Sequence, residues 1–121
     1  MSKRIGILDY NIPIGMLDYG NPVVGLIAEL RFEGYEVRHA TRLADLDTGG
    51  LDVLLMHPGV DHQAEAAQFV MDHPEIRAAL LSPSPDQYPD IKTPIFQYDR
   101  TERIIDFIEG RQSQPKPPAD F

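Results

Sequence analysis

The sequence contains no cysteine, and this absence removes several kinds of site at once. Disulfide bonds, thiolate zinc sites and cysteine nucleophiles are all excluded, and a reducing compartment is favoured. No apolar run approaches the roughly 20 residues that cross a bilayer. Residues 1–4 lead into a short apolar segment, without the long one of a signal peptide. We therefore expect a cytoplasmic protein that does not bind membranes.

Basic residues are also scarce. Eleven lysines and arginines stand against 19 acidic residues, which gives a formal net charge of −8. An acidic chain repels phosphate backbones, and the scattered cations form no stripe that could offset this repulsion. We therefore expect no nucleic-acid partner.

The hydrophobic pattern of the 121 residues is typical of one α/β domain. Continuous apolar runs at 5–8 and 53–56 predict strands that are buried on both faces. Segments with helical spacing alternate with them, which indicates right-handed crossovers and a parallel sheet. We predict a three-layer flavodoxin-like sandwich, a five-stranded parallel sheet in the order 2-1-3-4-5. The five strands are placed at about 5–8, 35–40, 53–56, 78–81 and 94–98.

Three longer helices are predicted, two between strands and one after the last strand. The first begins at Asn21-Pro22 and ends at Gly34, and the second covers about 62–72. The inward side chains of the second helix are expected to be Ala66, Phe69, Val70 and Met71.

The third helix follows Asp99 and ends at Gly110. Asp61 and Asp99 are predicted to cap the second and third helices, and Glu102 has capping-box spacing from Asp99. The second and fourth crossovers are too short for long helices. Residues 1–110 are predicted to form the single domain, and the proline-bearing tail 111–121 to be disordered.

Sheets of this kind bind ligands beyond the carboxyl ends of their strands, near the switch between the first and third strands. The side chains expected there define a candidate ligand or partner edge: Asp9, Tyr10, Asn11, His57, Asp61, His62, Ser82 and Tyr98. The loop after the first strand lacks the glycines that let backbone amides approach a phosphate. We therefore expect no nucleotide cofactor.

Metal and nucleophilic chemistry are weakly supported at this edge. His57, Asp61 and His62 have side chains that bind zinc, but their spacing matches no metal motif. The alternative is a helix cap beside surface histidines, which we favour. Ser82 and Ser84 lie between prolines and not in a G-x-S-x-G elbow. No catalytic residue, metal or cofactor is predicted.

Residues 52–61, Asp-Val-Leu-Leu-Met-His-Pro-Gly-Val-Asp, resemble the third strand and following loop of the receiver domain of two-component signalling. Asp9 matches the acidic residue after a receiver's first strand, and Ser82 matches the small hydroxyl after its fourth. The phospho-accepting position holds Met56 or His57 instead of aspartate.

The lysine–proline pair after a receiver's fifth strand is also replaced, by Gln97 or Tyr98. A receiver needs clustered carboxylates for magnesium and an acceptor for the phosphoryl group. The resemblance therefore implies a receiver-like signalling domain that is not phosphorylated and works through protein contact.

Two other resemblances are weaker. Residues 55–60 resemble the Pro-Gly-Val turn of class I glutamine amidotransferases, but the family's nucleophilic cysteine is absent. Residues 22–37 resemble the first helix and second strand of cobalamin-binding domains, without the cobalt-ligating histidine. All three resemblances share one strand–helix–strand pattern, which supports the fold more than any one function.

We therefore expect a non-phosphorylatable receiver-like regulatory or protein-interaction domain. A protein partner or self-association is expected, with the surface of residues 96–107 as a candidate self-association face. The alternative is a small-molecule or metal-binding enzyme domain that uses the same edge, with His57 and Asp61 as acid–base or ligand groups.

Overall fold

A computed structural model of the chain describes residues 3–10, 22–81 and 93–110. Its neighbouring strands are all parallel, and their order is β2-β1-β3-β4-β5. The predicted parallel sheet and strand order are thus confirmed, and the architecture is that of a flavodoxin-like fold. The strands are β1 (Arg4–Asp9), β2 (Glu36–Ala40), β3 (Val53–His57), β4 (Arg77–Leu81) and β5 (Ile95–Phe96).

Three α-helices cover the two faces of this sheet, namely α1 (Pro22–Phe32), α2 (Gln63–Asp72) and α3 (Thr101–Glu109). Successive side chains of a strand point to opposite faces. Val53 and Leu55 accordingly lie in one hydrophobic cluster with α1 and α3, and Leu54 and Met56 in a second cluster with α2. The continuous apolar runs in the sequence are therefore the signature of a sheet buried on both sides.

Helix α1 has the predicted inner face. Val23, Leu26, Ile27 and Leu30 are all buried, at the spacing expected of one helical stripe. Gly34 follows with a φ of +96°, a left-handed conformation that glycine adopts without strain. The predicted buried stripe and the glycine after the helix are confirmed, whereas Asn21 lies outside the described residues.

The crossover from β2 to β3 is short, as predicted. It contains one 3-10 turn at Leu43–Asp45, and its apolar cover comes largely from Leu46 and Leu51. A Cβ atom on Gly6 of β1 would lie only 2.7 Å from Cδ1 of Leu51. The absent side chain of Gly6 therefore lets this loop pack directly on the strand. The fourth crossover and the tail 111–121 fall outside the described residues.

Both predicted helix caps are wrong. The residue before α2 is His62, because Asp61 is taken into a 3-10 turn closed by the bond from the His62 amide to the Gly59 carbonyl, 3.2 Å long. Similarly, a turn in which the Arg100 amide donates to the Gln97 carbonyl at 3.1 Å precedes α3. In both places a backbone turn leads into the helix, so the aspartate is displaced from the cap position.

Other details differ from the prediction at the periphery. Strand β5 has two residues instead of five, since only Ile95 and Phe96 pair with β4. On α2, Ala66 is buried but Met71 is 75% exposed, so Met71 does not face inward. None of the described helices is long and apolar enough to cross a membrane.

Candidate functional site

The last residues of β1 and β3 bring two polar side chains together at the centre of the sheet. Asp9 and His57 are register partners, and the Tyr10 amide donates to the His57 carbonyl at 3.1 Å. Asp9 is 1% exposed and His57 is 4% exposed. Since burying a polar group is costly unless it is hydrogen-bonded, this pair requires partners inside the protein.

Tyr98 supplies a partner for Asp9. Its hydroxyl donates a short hydrogen bond of 2.5 Å to Oδ2 of Asp9. Tyr98 follows β5, which is separated from β1 by β3 and β4. The turn after β5 therefore places the tyrosine over the carboxyl edge of the sheet. Its hydrogen bond links the segment after the outer strand to the central strand β1.

His57 lies between two aromatic rings. Its ring stacks on Tyr10 with centroids 5.0 Å apart, and it meets Tyr98 edge to face at 6.1 Å. Burial lowers the pKa of His57, while the Asp9 charge and a hydrogen bond with the Leu81 backbone partly oppose that effect. The imidazole is therefore neutral near pH 7, with one nitrogen as donor and the other as acceptor. We call Asp9, Tyr10, His57 and Tyr98 the carboxyl-edge cluster.

Gly59 supports the outer side of this cluster. It has a φ of +83°, and a Cβ atom there would lie 3.2 Å from Cδ1 of Tyr10. The Tyr10 ring therefore packs on the glycine backbone on one part of its surface, yet the residue remains 48% exposed. This packing of Gly59 against Tyr10 was not predicted from the sequence. A glycine directly after a strand end is a signal for such close packing.

The other predicted site residues do not join the cluster. Asp61 is exposed and His62 is half-buried, and both lie on the 3-10 turn Val60–His62. Within the part of the chain that the structure describes, no group of three or more His, Cys, Asp or Glu side chains could hold a metal ion. Asn11 and Ser82 lie outside the described residues.

The residues named for self-association divide into two groups. Phe96 and Phe107 are buried and pack on each other with centroids 5.5 Å apart, so they belong to the protein's own core. The exposed part of this region consists mainly of polar side chains such as Asp99, Arg100 and Glu102. β5 is nevertheless at the edge of the sheet, as the self-association hypothesis requires.

The chemistry available to the carboxyl-edge cluster follows from these contacts. A buried carboxyl group accepts a phenol hydrogen bond, and a neutral imidazole lies beside it. An imidazole of this kind could act as a base, while the exposed Tyr10 ring offers apolar area and a hydroxyl group to a partner. The same cluster thus suits either contact with a protein or acid–base work on a small ligand.

Comparison with known proteins identifies no relative of this chain. No protein-family model matches the chain, and neither a curated protein nor a solved structure matches it significantly. The resemblance to receiver domains therefore stays a prediction that rests on residues 52–61 and on the strand order.

Proposed function

We propose that this chain is a receiver-like regulatory domain that is not phosphorylated and that contacts a protein partner through its carboxyl edge. The observation that carries the proposal is the hydrogen bond from Tyr98 to the buried Asp9. In a phosphorylated receiver, the acid after the first strand would have to hold magnesium. Here that acid is buried and accepts a bond from a tyrosine.

The acceptor position supports the same proposal. Met56 is fully buried, and His57 is enclosed between the rings of Tyr10 and Tyr98. Neither residue is an aspartate, so the site lacks the group on which an aspartyl phosphate would form. Regulation would then depend on binding alone.

The exposed part of Tyr10 is the contact surface that this proposal needs. Tyrosine is enriched at the centres of protein interfaces because it is large, rigid and partly polar. His57 and Gly59 hold the ring from beneath, which reduces the conformational entropy that binding would cost. The arrangement is therefore preorganised for contact.

The absence of phosphorylation has a direct test. The purified protein is treated with acetyl phosphate and magnesium, and its intact mass is measured. We expect no phosphoryl adduct. A stoichiometric adduct on an aspartate would overturn the proposal.

Protein contact is tested with a photo-crosslinking amino acid placed at position 10 in the source cells. The matched control carries the same group at position 71, because Met71 is also exposed but lies on α2. We expect one defined protein to be crosslinked from position 10 and not from position 71. Equal crosslinking at both positions, or none at position 10, would contradict the proposal.

A small-molecule or metal-dependent enzyme is the second candidate. It is favoured by the neutral imidazole of His57 beside the carboxyl group of Asp9, the types of group that acid–base chemistry uses. A ligand that binds the folded state raises the melting temperature by mass action. Zinc or magnesium at millimolar concentration should raise it if this candidate uses a metal, and an unchanged melting temperature would reject that version.

A further inference from the structure

Strand β2 forms one end of the sheet, and no described strand lies on its other side. In parallel strands, the N–H and C=O groups of one residue point to the same side, and successive residues alternate between the two sides. The Glu36 amide donates to the Lys3 carbonyl at 3.1 Å, which directs the backbone groups of Glu36 towards β1. The backbone groups of Val37 and His39 therefore point away from the sheet. We call this outward side of residues 37–39 the free side of β2.

The backbone groups on the free side of β2 are available to another chain. No described residue accepts a hydrogen bond from the amides of Val37 and His39 or donates one to the carbonyl of His39. The Val37 carbonyl accepts a bond of 3.1 Å from Nη2 of Arg31 on α1. A carbonyl oxygen has two lone pairs, so this bond leaves one acceptor position open. An extended segment could therefore add to the sheet here by main-chain hydrogen bonds.

The opposite edge of the described sheet is less suitable for an added strand. β5 contains only Ile95 and Phe96, whereas β2 contains five residues. Short edge strands resist pairing with other chains, because few main-chain hydrogen bonds can form along them. The free side of β2 is therefore the edge where strand addition would gain more contacts.

The charge around the free side of β2 differs from that of the chain as a whole. Residues 37–42, Val-Arg-His-Ala-Thr-Arg, contain two arginines and no acid, whereas the whole chain has a net charge of −8. Val37 lies in the same hydrophobic cluster as α1, so His39, two positions later, is on that face of the sheet. Burial and the Arg31 charge lower the pKa of His39, so the guanidinium lies near a neutral imidazole. This face therefore offers a fixed cation and a hydrogen-bond donor.

An acidic extended segment matches these groups. Side chains at alternate positions of a strand lie on one face, so acids at alternate positions could all lie on the α1 side. Opposed side chains of antiparallel neighbours have Cβ atoms about 4.5–5.5 Å apart, so a carboxylate there could accept from His39 while Arg31 supplies the opposite charge.

A second copy of the chain matches less well. If Val37 and His39 of one copy paired with His39 and Val37 of another in an antiparallel ladder, the two Arg38 residues would lie directly opposite each other. Like charges at directly opposed positions are destabilising. The charges on the page therefore favour an acidic partner over self-association at this edge.

We propose that a partner protein adds a strand to the free side of β2 through an extended segment with acidic residues at alternate positions. The segment exchanges main-chain hydrogen bonds with Val37 and His39, and its carboxylates face Arg31 and His39. This surface is separate from the carboxyl-edge cluster, so the proposal does not depend on what binds there. The competing interpretation is that Arg31 only protects an exposed edge strand from pairing.

Amide hydrogen exchange of the full chain detects the added strand directly. Exchange is followed by nuclear magnetic resonance with and without the peptide Thr-Glu-Val-Glu-Val-Glu-Thr, blocked at both ends, at millimolar concentration. We expect exchange of the Val37 and His39 amides to slow by about tenfold or more, because both become hydrogen-bonded. The Arg38 amide, which faces β1, should change less. Unchanged exchange at Val37 and His39 would overturn the proposal and leave Arg31 as a protecting group.

The acidic character of the partner is tested by a matched peptide with lysine in place of each glutamate. We expect this peptide to bind about fivefold more weakly or worse, measured by titration of the amide signals. Arg31→Gln should weaken binding of the acidic peptide by about threefold, whereas Arg103→Gln, which removes an exposed cation from α3, should leave it unchanged. Equal affinity for the two peptides would contradict an acidic partner.

Two substitutions at position 39 separate the backbone contact from the side chain. His39→Pro removes an amide that points away from β1, and proline is tolerated at such positions of edge strands. His39→Ala removes the imidazole and keeps the amide. We expect about a tenfold loss of affinity with His39→Pro and a smaller loss with His39→Ala, in chains whose thermal unfolding shows that they are folded. Undiminished affinity of a folded His39→Pro chain would overturn the proposal.

A concentration series without peptide distinguishes a separate partner from a second copy. Exchange of the Val37 and His39 amides is measured as the concentration of the chain is raised. We expect no change, because the free side of β2 stays open in the absence of an acidic segment. Exchange that slows at both amides as the concentration rises would mean that another copy occupies this edge, and it would overturn the proposal.

Discussion

The two ends of the central strands use similar residue types in opposite ways. At the amino ends, Arg4 lies 3.8 Å from Glu36, and Arg38 lies 2.9 Å from Glu36 and 3.4 Å from Asp47. We call these four residues the amino-edge ion pairs; Arg4, Glu36 and Asp47 are exposed to water, and the Arg38 side chain is 24% exposed. At the carboxyl ends, Asp9 and His57 are almost fully buried.

The difference shows where the sheet bears an energetic cost for its polar groups. Exposed ion pairs typically contribute about 0–1 kcal/mol, because water already solvates each charge. A buried polar group instead loses its hydration and depends on its internal partners. The carboxyl edge is therefore the end of the sheet where polar residues are retained against a desolvation cost, which is common at functional sites.

The largest expected effect is the loss of the buried hydrogen bond. Tyr98→Phe removes the donor to Asp9 and leaves a buried acceptor without that partner, which should lower the free energy of unfolding by about 2 kcal/mol. Urea denaturation measures the change. Tyr35→Phe is the matched control, because its hydroxyl bonds to the exposed Glu109, and it should cost less than about 1 kcal/mol. Equal losses in the two variants would contradict the contrast between the edges.

The pH dependence of stability is the second way to test the contrast. Burial lowers the pKa of His57 in the folded chain from its ordinary value of about 6.5. When the pH falls below about 6.5, His57 therefore binds a proton more readily in the unfolded chain than in the folded chain. Stability should therefore fall as the pH falls from about 6.5 towards the folded pKa, by at most about 1.4 kcal/mol per pH unit for this residue.

His57→Gln provides the comparison for that measurement. Burial and Arg31 also lower the pKa of His39, so the wild type must be compared with the variant at each pH from 7.5 to 5. We expect the variant to lose less stability than the wild type over this range. If the free energy of unfolding, measured by urea denaturation, changed with pH equally in the two proteins, His57 would not contribute to the pH dependence of stability.

A smaller effect is expected from the support beneath Tyr10. Gly59→Ala places a side chain at a positive φ and close to the Tyr10 ring, which should cost about 1 kcal/mol. Gly25→Ala is the control, because a Cβ atom there meets nothing within 4 Å and the residue lies inside α1. It should be stabilising by about 0.5–1 kcal/mol. A neutral Gly59→Ala variant would show that the packing of Tyr10 on the glycine is unimportant.

The smallest effect is expected at the amino edge. Arg4→Met removes an exposed ion pair with Glu36 and keeps the aliphatic part of the side chain, so stability should change by less than about 0.5 kcal/mol. Thermal unfolding in low and high salt measures the change. A loss comparable with that of Tyr98→Phe would remove the distinction between the two edges.

The fold was predictable because its signal is repeated along the chain. Each apolar run, such as residues 53–56, is long enough to define a strand. A strand with one face in water would alternate apolar and polar residues, so a continuous run indicates a sheet that is buried on both faces. Local details were less predictable. Asp61 and Asp99 have the chemistry of caps, but backbone turns next to them decide where the helices begin.

The candidate site was predictable only in part. Strand order alone places Asp9 beside His57, and the register confirms that placement. The bond from Tyr98 to Asp9 depends on how the turn after β5 is oriented, and no sequence period encodes that orientation. Asp61 follows His57 closely in sequence, but it lies on the 3-10 turn Val60–His62 and is exposed.

The central claim is that the carboxyl-edge cluster holds Tyr10 ready for a protein partner. In this proposal the bond to Asp9 fixes the Tyr98 ring, which supports the edge of His57, and Tyr10 stacks on His57. The most direct measurement is the yield of photo-crosslinking from position 10 in chains that also carry Tyr98→Phe or Tyr35→Phe, at a temperature where both remain folded. The account predicts a marked loss of the crosslinked partner with Tyr98→Phe and no change with Tyr35→Phe. An undiminished yield with Tyr98→Phe would contradict it.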